Sequence, residues 1–276
     1  MTEAAALPVT SADGHRFDLL QIPAMGATTH RVLWLPALGV AARHYLPLAN
    51  ALAARGCQVQ LMDWRGHGSS SLRAGRGVDW GFAQLLQQDL PAAVAALQAR
   101  DIHVDTLGGH SLGGQLACCH AGNQPGLRQL WLVASGSPWW PGFAAPRRWL
   151  LPLAYTALPA LASIVGHLPG KRVGFGGREA RSLITDWARV GRTGRYRIPE
   201  DVEQRMADYR GRIRSVTLAD DWLAPSDSLA MLLAKMPAAS AHSQQLDALT
   251  LGTAANHFQW MRQPGSVADA LVKNAP

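Results

Sequence analysis

Residues 108–115 read GGHSLGGQ. Ser111 has Gly109 and Gly113 two residues to either side, the pattern G-x-S-x-G. A serine beside glycines at a helix start can be a plain N-cap. The flanking segments point further. A strand-like run, DIHVDTLG, enters the motif and a helix-like run, LGGQLACCHAG, leaves it. A strand, a tight turn and a helix form the setting in which a serine hydroxyl is held exposed as a nucleophile. The helix start also turns the Leu112 amide toward any oxyanion forming on an attacked carbonyl. We therefore read Ser111 as a nucleophile and Leu112 N–H as an oxyanion donor.

A serine hydroxyl is a weak nucleophile at neutral pH and needs a base, which itself needs an orienting group. Downstream of Ser111, TLADDWLAP places Asp220 and Asp221 where a predicted strand ends. TAANHFQWMRQP places His257 just after the last predicted strand. Both positions fall on the sheet edge that carries Ser111, in the order serine, acid, histidine. Other candidates are weaker. Asp63 ends a strand on the same edge but breaks that order. His67, in RGHG, is expected to support its loop. His110 precedes the nucleophile, and the turn should point the two side chains apart.

Strand-like and helix-like runs alternate over most of the chain, as in βαβ units. Strands are expected at 30–39, 57–64, 101–110, 127–135, 212–221 and 245–252. Helices are expected at 43–56, 82–100 with a kink near Pro91, 112–122, 226–235 and from about 260. Between about Ser137 and Arg212 the rhythm stops, and helices are expected around 149–166, 178–191 and 200–210. The predicted architecture is α/β: a mainly parallel sheet flanked by helices. A core of residues 1–136 and 213–276 would carry a helical cap at 137–212.

Four segments in this order, DWRGHGSS, GHSLGG, ADDWLAP and NHFQWMRQP, make the chain resemble the α/β-hydrolase-fold proteins over nearly all its length. More narrowly, LPGKRVGFGG and ITDWARVGR resemble the cap of poorly characterised bacterial members. The resemblance implies a Ser–Asp–His triad. Asp221, four residues before Pro225, matches the family's acid position and is preferred over Asp220. His257 matches the catalytic histidine. The second oxyanion donor is expected in the loop after strand 31–36. There Pro36-Ala37-Leu38-Gly39 replaces the family's common His-Gly, and position matching gives Leu38. The implied activity is hydrolysis of a carboxylic ester or thioester through an acyl-enzyme. Acyl transfer on the same triad, or a non-catalytic binding protein on this fold, are the alternatives. A serine nucleophile argues against haloalkane dehalogenases and epoxide hydrolases.

Composition bounds the remainder. The 276 residues are 48% hydrophobic and 16% charged, enough to bury a sizeable core. Disorder is expected only at the first few residues and in the tail VKNAP. Three cysteines, Cys57, Cys118 and Cys119, read as buried thiols rather than a disulfide framework. No metal-ligand spacing stands out, and neither metal nor cofactor is expected. The net charge of +7 is regional: residues 146–215 hold 14 Lys/Arg against 6 Asp/Glu. That region has no nucleic-acid-binding motif, so no nucleic-acid partner is expected. The apolar stretch 149–170 approaches the length of a membrane span, but its prolines favour a soluble cap. With no signal-like N-terminus, a cytoplasmic protein is expected. Trp139, Trp140 and Trp149 are candidates to bind the substrate. Arginines 178, 181, 189, 192, 195 and 197 could meet an anionic part, giving a small acyl substrate, amphipathic or anionic.

Overall fold

The structure is a computed structural model that describes residues 4–124 and 126–273. Of the residues expected to be disordered, the first few and 272–276, residues 1–3 and 274–276 lie outside the described residues. Val272 closes the last helix.

Eight strands form one sheet: β1 (Ala5–Thr10), β2 (Arg16–Ile22), β3 (His30–Leu35), β4 (Cys57–Met62), β5 (Thr106–His110), β6 (Gln129–Val133), β7 (Arg212–Leu218) and β8 (Ser240–Leu246). Their order is β1-β2-β4-β3-β5-β6-β7-β8. The first two strands pair antiparallel, as does β2 with β4. From β4 to β8 every pairing is parallel. Parallel strands need both faces covered, and the central strand shows how. Leu33 and Leu35 join a core with Leu90, Leu97 and Leu116. Val32 and Trp34 point the other way, into a core with Leu48, Leu52, Val267 and Leu271. The two-residue period of the strand thus feeds two layers. One layer holds helices α2 (Leu90–Gln98) and α3 (Leu112–His120); the other holds α1 (Leu46–Ala53) and α8 (Gly265–Val272).

Between β6 and β7 the chain adds α4 (Arg147–Val165), α5 (Arg181–Thr193) and α6 (Val202–Asp208). Helix α7 (Ser226–Leu233) follows β7. The apolar 149–170 stretch is mostly α4, with Pro152 and Pro159 inside the helix rather than ending it. Pro159 cannot donate to the Tyr155 carbonyl. Arg192 Nη1 donates to that carbonyl instead, at 3.2 Å. The helix ends at Gly166, whose φ is +95°.

Two local expectations change. The last strand is residues 240–246, not 245–252. It is an exposed edge, SAHSQQL, so it needs little apolar alternation. The apolar DALTL after it forms a turn of helix capped by Asp247, which accepts from Thr250 N–H at 2.8 Å. The kink expected near Pro91 is a five-residue π-helical turn, Leu85–Asp89, leading into α2. Widening there accommodates the proline's missing N–H.

That turn points Asp89 inward, where it is fully buried. Its carboxylate accepts from Arg65 Nε at 2.6 Å and Nη2 at 2.8 Å, and from Ser11 Oγ at 2.6 Å. His15 Nδ1 lies 3.0 Å away. Arg65 also bonds Asp13, at 2.6 and 3.0 Å. The RGHG loop is thereby tied to the first hairpin and to the helix. Asp89→Ala should leave the buried Arg65 guanidinium under-compensated and lower unfolding free energy by about 3–5 kcal/mol. Urea denaturation measures this; a loss below about 1 kcal/mol would mean the cluster does not hold the loop.

Candidate active site

Ser111 joins β5 to α3 with φ +54° and ψ −118°, a backbone position costly for any residue with a Cβ. The turn survives because its neighbours leave no space for alternatives. A Cβ on Gly113 would lie 2.1 Å from the Leu35 carbonyl oxygen, and one on Gly109 would lie 2.3 Å from the Gly113 carbonyl carbon. Both glycines of the motif are therefore demanded by close backbone packing.

His257 links the two other candidates. Its Nδ1 lies 2.8 Å from Asp221 Oδ2, and its Nε2 lies 2.9 Å from Ser111 Oγ. A carboxylate only accepts, so Nδ1 carries the proton and Nε2 accepts from the serine hydroxyl. Asp221 Oδ1 accepts from Leu223 N–H at 2.9 Å and Ala224 N–H at 3.2 Å, which orients the carboxylate. The Asp221 side chain is fully buried, whereas Asp220 is exposed. The His257 carbonyl accepts from Trp260 Nε1 at 3.0 Å. Asp63 is occupied elsewhere. It accepts from the amides of Ala42 and Ser69. His67 Nε2 pairs with buried Glu179, at 3.1 Å.

The loop after β3 is pinned from two sides. Pro36 O accepts from Trp64 Nε1 at 2.9 Å. Ala37 N–H donates to Tyr45 Oη at 2.9 Å. Tyr45 O–H is then free to donate to His110 Nδ1, 2.8 Å away. With Ala37 N–H taken up, Leu38 N–H has no acceptor among the described residues. Leu112 N–H, at the first position of α3, has no intrahelical acceptor either. The ring of His110 packs against that of His257, with centroids 4.8 Å apart. Burial, reinforced by His257, holds its pKa well below the ordinary 6.5, so it packs there as a neutral imidazole. Tyr45 was not foreseen, because nothing in its local sequence separates it from a core aromatic.

Ser111, Leu112, Leu38 and His257 open onto a cavity of about 460 Å³. Its walls include Phe143, Leu151, Leu158, Phe175, Trp187 and Trp222. The side of α4 that carries Leu151, Ala154, Tyr155 and Leu158 contributes at helical spacing, a signal the sequence did hold. Trp139, Trp140 and Trp149 do not line it. Trp139 packs on Gly194, and Trp149, 57% exposed, pairs with Trp140 at 5.6 Å. Trp139 and Trp140 lie in the turn before α4, and Trp149 lies on the exposed side of that helix. The arginines are also turned elsewhere. Arg178 donates to Ala74 O, Arg181 faces Asp79, Arg189 pairs with Asp186, and Arg192 bonds Tyr155 O. None of the six lines the cavity.

A mostly parallel eight-stranded sheet with a serine turn after β5 defines an α/β-hydrolase-type enzyme. Residues 27–209 match the family model described as serine aminopeptidase, S33, and the chain belongs to that family. The matched region contains Ser111 and stops short of Asp221 and His257. Among solved structures, the chain is similar to a hydrolase from Pseudomonas aeruginosa PA01, with TM-score 0.66 and 16% identity over 98% of this chain and 97% of that one. It is also similar to the esterase domain of a Rhodothermus marinus protein, with TM-score 0.63 and 17% identity over 98% and 96%. An esterase from Exiguobacterium antarcticum aligns with TM-score 0.63 and 13% identity over 97% and 98%. At such identities the likeness is one of fold. Comparison with curated proteins by sequence gives no match.

Tyr45→Phe should strand Ala37 N–H and His110 Nδ1 without a partner and cost about 1–3 kcal/mol of stability. Denaturant titration of the variant checks this; stability equal to wild type would show that the hydroxyl does not anchor the loop.

Proposed function

We propose that the protein is a serine hydrolase that cleaves a carboxylic ester or thioester of a neutral, apolar acyl group. The observation that carries this reading is the Ser111–His257–Asp221 hydrogen-bonded chain facing an apolar cavity. Ser111 Oγ attacks the acyl carbonyl while His257 Nε2 takes its proton, and Asp221 stabilises the resulting imidazolium. Leu38 N–H and Leu112 N–H receive the oxyanion. The imidazolium then protonates the leaving alcohol or thiol. Water, deprotonated by His257, attacks the acyl-enzyme, releasing the acid and restoring Ser111 Oγ–H.

The charge of the walls narrows the substrate. No Asp or Glu among the described residues lines the cavity, so a peptide's α-ammonium would find no counter-ion there. Aminopeptidase activity, the one in the family's description, is therefore not the reading favoured here. No Lys or Arg lines it either, which disfavours an anionic acyl part. Residues 137–212 act as a cap over a core of 1–136 and 213–276, since α4 and α5 supply much of the wall. A cytoplasmic setting fits the three free, buried cysteines. Burial pushes the thiols of Cys57 and Cys118 up to about 12.

The reading is tested with p-nitrophenyl octanoate, the p-nitrophenyl hemiester of succinate and alanine p-nitroanilide. The octanoate should be cleaved with kcat/KM at least about tenfold above the other two, consistent with burial of several methylenes. Asp221→Asn should lower kcat on it by roughly 10⁴-fold. Preference for the anionic ester, or efficient release of alanine from its anilide, would overturn the proposal.

A further inference from the structure

Helix α4 is apolar on two sides. One side lines the cavity. On the other, the 100° step of a helix aligns Trp149, Leu150, Leu153, Ala157, Ala160 and Ile164 in a single stripe. Leu150, Leu153 and Ile164 are 61%, 68% and 72% exposed. Soluble surfaces seldom present so continuous an apolar stripe without a partner. At 19 residues, α4 is also the helix among the described residues that is long and apolar enough to cross a membrane. It does not stand free as a span would. Tyr155 Oη donates to Pro138 O, and the Tyr155 ring packs on Trp187 and Gly191 of α5. The helix therefore lies along the surface of the protein with one long side uncovered.

The charges around the stripe indicate what covers it. Residues 144–178 contain no Asp or Glu, and they carry Arg147 and Arg148 at one end of α4 and Lys171 and Arg172 just beyond the other. An apolar stripe about 24 Å long with cations at both ends is the pattern of a helix lying in an anionic lipid interface. A second copy of this chain fits less well, because a two-fold pairing would crowd both sets of cations with no acid from this segment between them. The cavity mouth lies near the Arg147 end of α4. Arg147 stacks over Trp222 at 5.0 Å. Val173, Trp222 and Phe258 each line the cavity and remain 43–46% exposed.

We propose that the protein is a peripheral membrane binder. The exposed side of α4 rests in the headgroup region of an anionic bilayer, with the cavity mouth near its Arg147 end. Binding by this face does not require that the ester reading be right, so the test uses no turnover.

The experiment is co-sedimentation of the full chain with phosphatidylcholine vesicles, with and without phosphatidylglycerol. Wild type should partition at least about tenfold more strongly to the anionic vesicles, given roughly 1 kcal/mol per basic residue near the surface. The double variant Leu150→Asp, Leu153→Asp should bind at least about tenfold more weakly. Both positions are exposed and off the cavity wall, so its circular dichroism and melting should match wild type. The triple variant Arg147→Glu, Lys171→Glu, Arg172→Glu should lose the preference for phosphatidylglycerol. Wild type left in the supernatant with both vesicle types would overturn the proposal, as would equal binding by the Asp double variant. A wild-type dimer in light scattering that this variant dissociates, without vesicle binding, would assign the face to a second copy.

Discussion

The site depends on one backbone constraint, the left-handed turn at Ser111. Strand β5 is held between β3 and β6, so its end cannot shift. Helix α3 begins so close that Gly113 touches the end of β3 and Gly109 touches Gly113. Between these fixed ends Ser111 has no relaxed conformation available. A position at φ +54° costs of order 1–3 kcal/mol for a residue with a side chain. The surrounding packing over-determines the turn and absorbs that cost. In return, the hydroxyl projects from the sheet edge to His257, and the first amide of α3 is left without an intrahelical acceptor.

The remaining groups are arranged around that point by the parallel sheet. Asp221 and His257 come from the segments after β7 and β8, yet both reach the same edge because parallel strands all end there. A layer of buried polar contacts supports this edge from below. Tyr45 ties the loop after β3 to His110, and His110 packs as a neutral ring against His257. A charged imidazole in that place would oppose the imidazolium that the proposed acyl transfer requires.

Charge and apolarity are separated around the cavity. The net positive charge of residues 146–215 suggested cations facing a substrate. Instead several of those guanidinium groups are spent on structure: Arg192 on the carbonyl that Pro159 leaves free, Arg178 on Ala74 O, Arg189 on Asp186. The cavity keeps apolar walls, and exposed cations flank the outer side of α4.

The parts of the molecule set by short-range rules were legible in the sequence. The alternation of strands and helices, the G-x-S-x-G turn and the spacing from Asp221 to Pro225 are all local patterns. Parallel topology then brings Ser111, Asp221 and His257 within hydrogen-bond distance. Features that depend on tertiary surroundings were not legible. That Trp187 and Trp222 line the cavity, while Trp139, Trp140 and Trp149 do not, depends on how α5 and the loop after β7 pack. Strand β8, an exposed edge, lacks the apolar alternation that marks a strand. The contact of His110 with His257 joins segments far apart in the chain, which no local pattern shows. The central claim, that the strained turn presents an activated serine, is tested most directly by covalent labelling with a fluorophosphonate probe and mass spectrometric mapping. The account predicts one adduct per chain, on Ser111, absent from a folded Ser111→Ala variant. No adduct on folded wild type, or an adduct that persists in that variant, would contradict it.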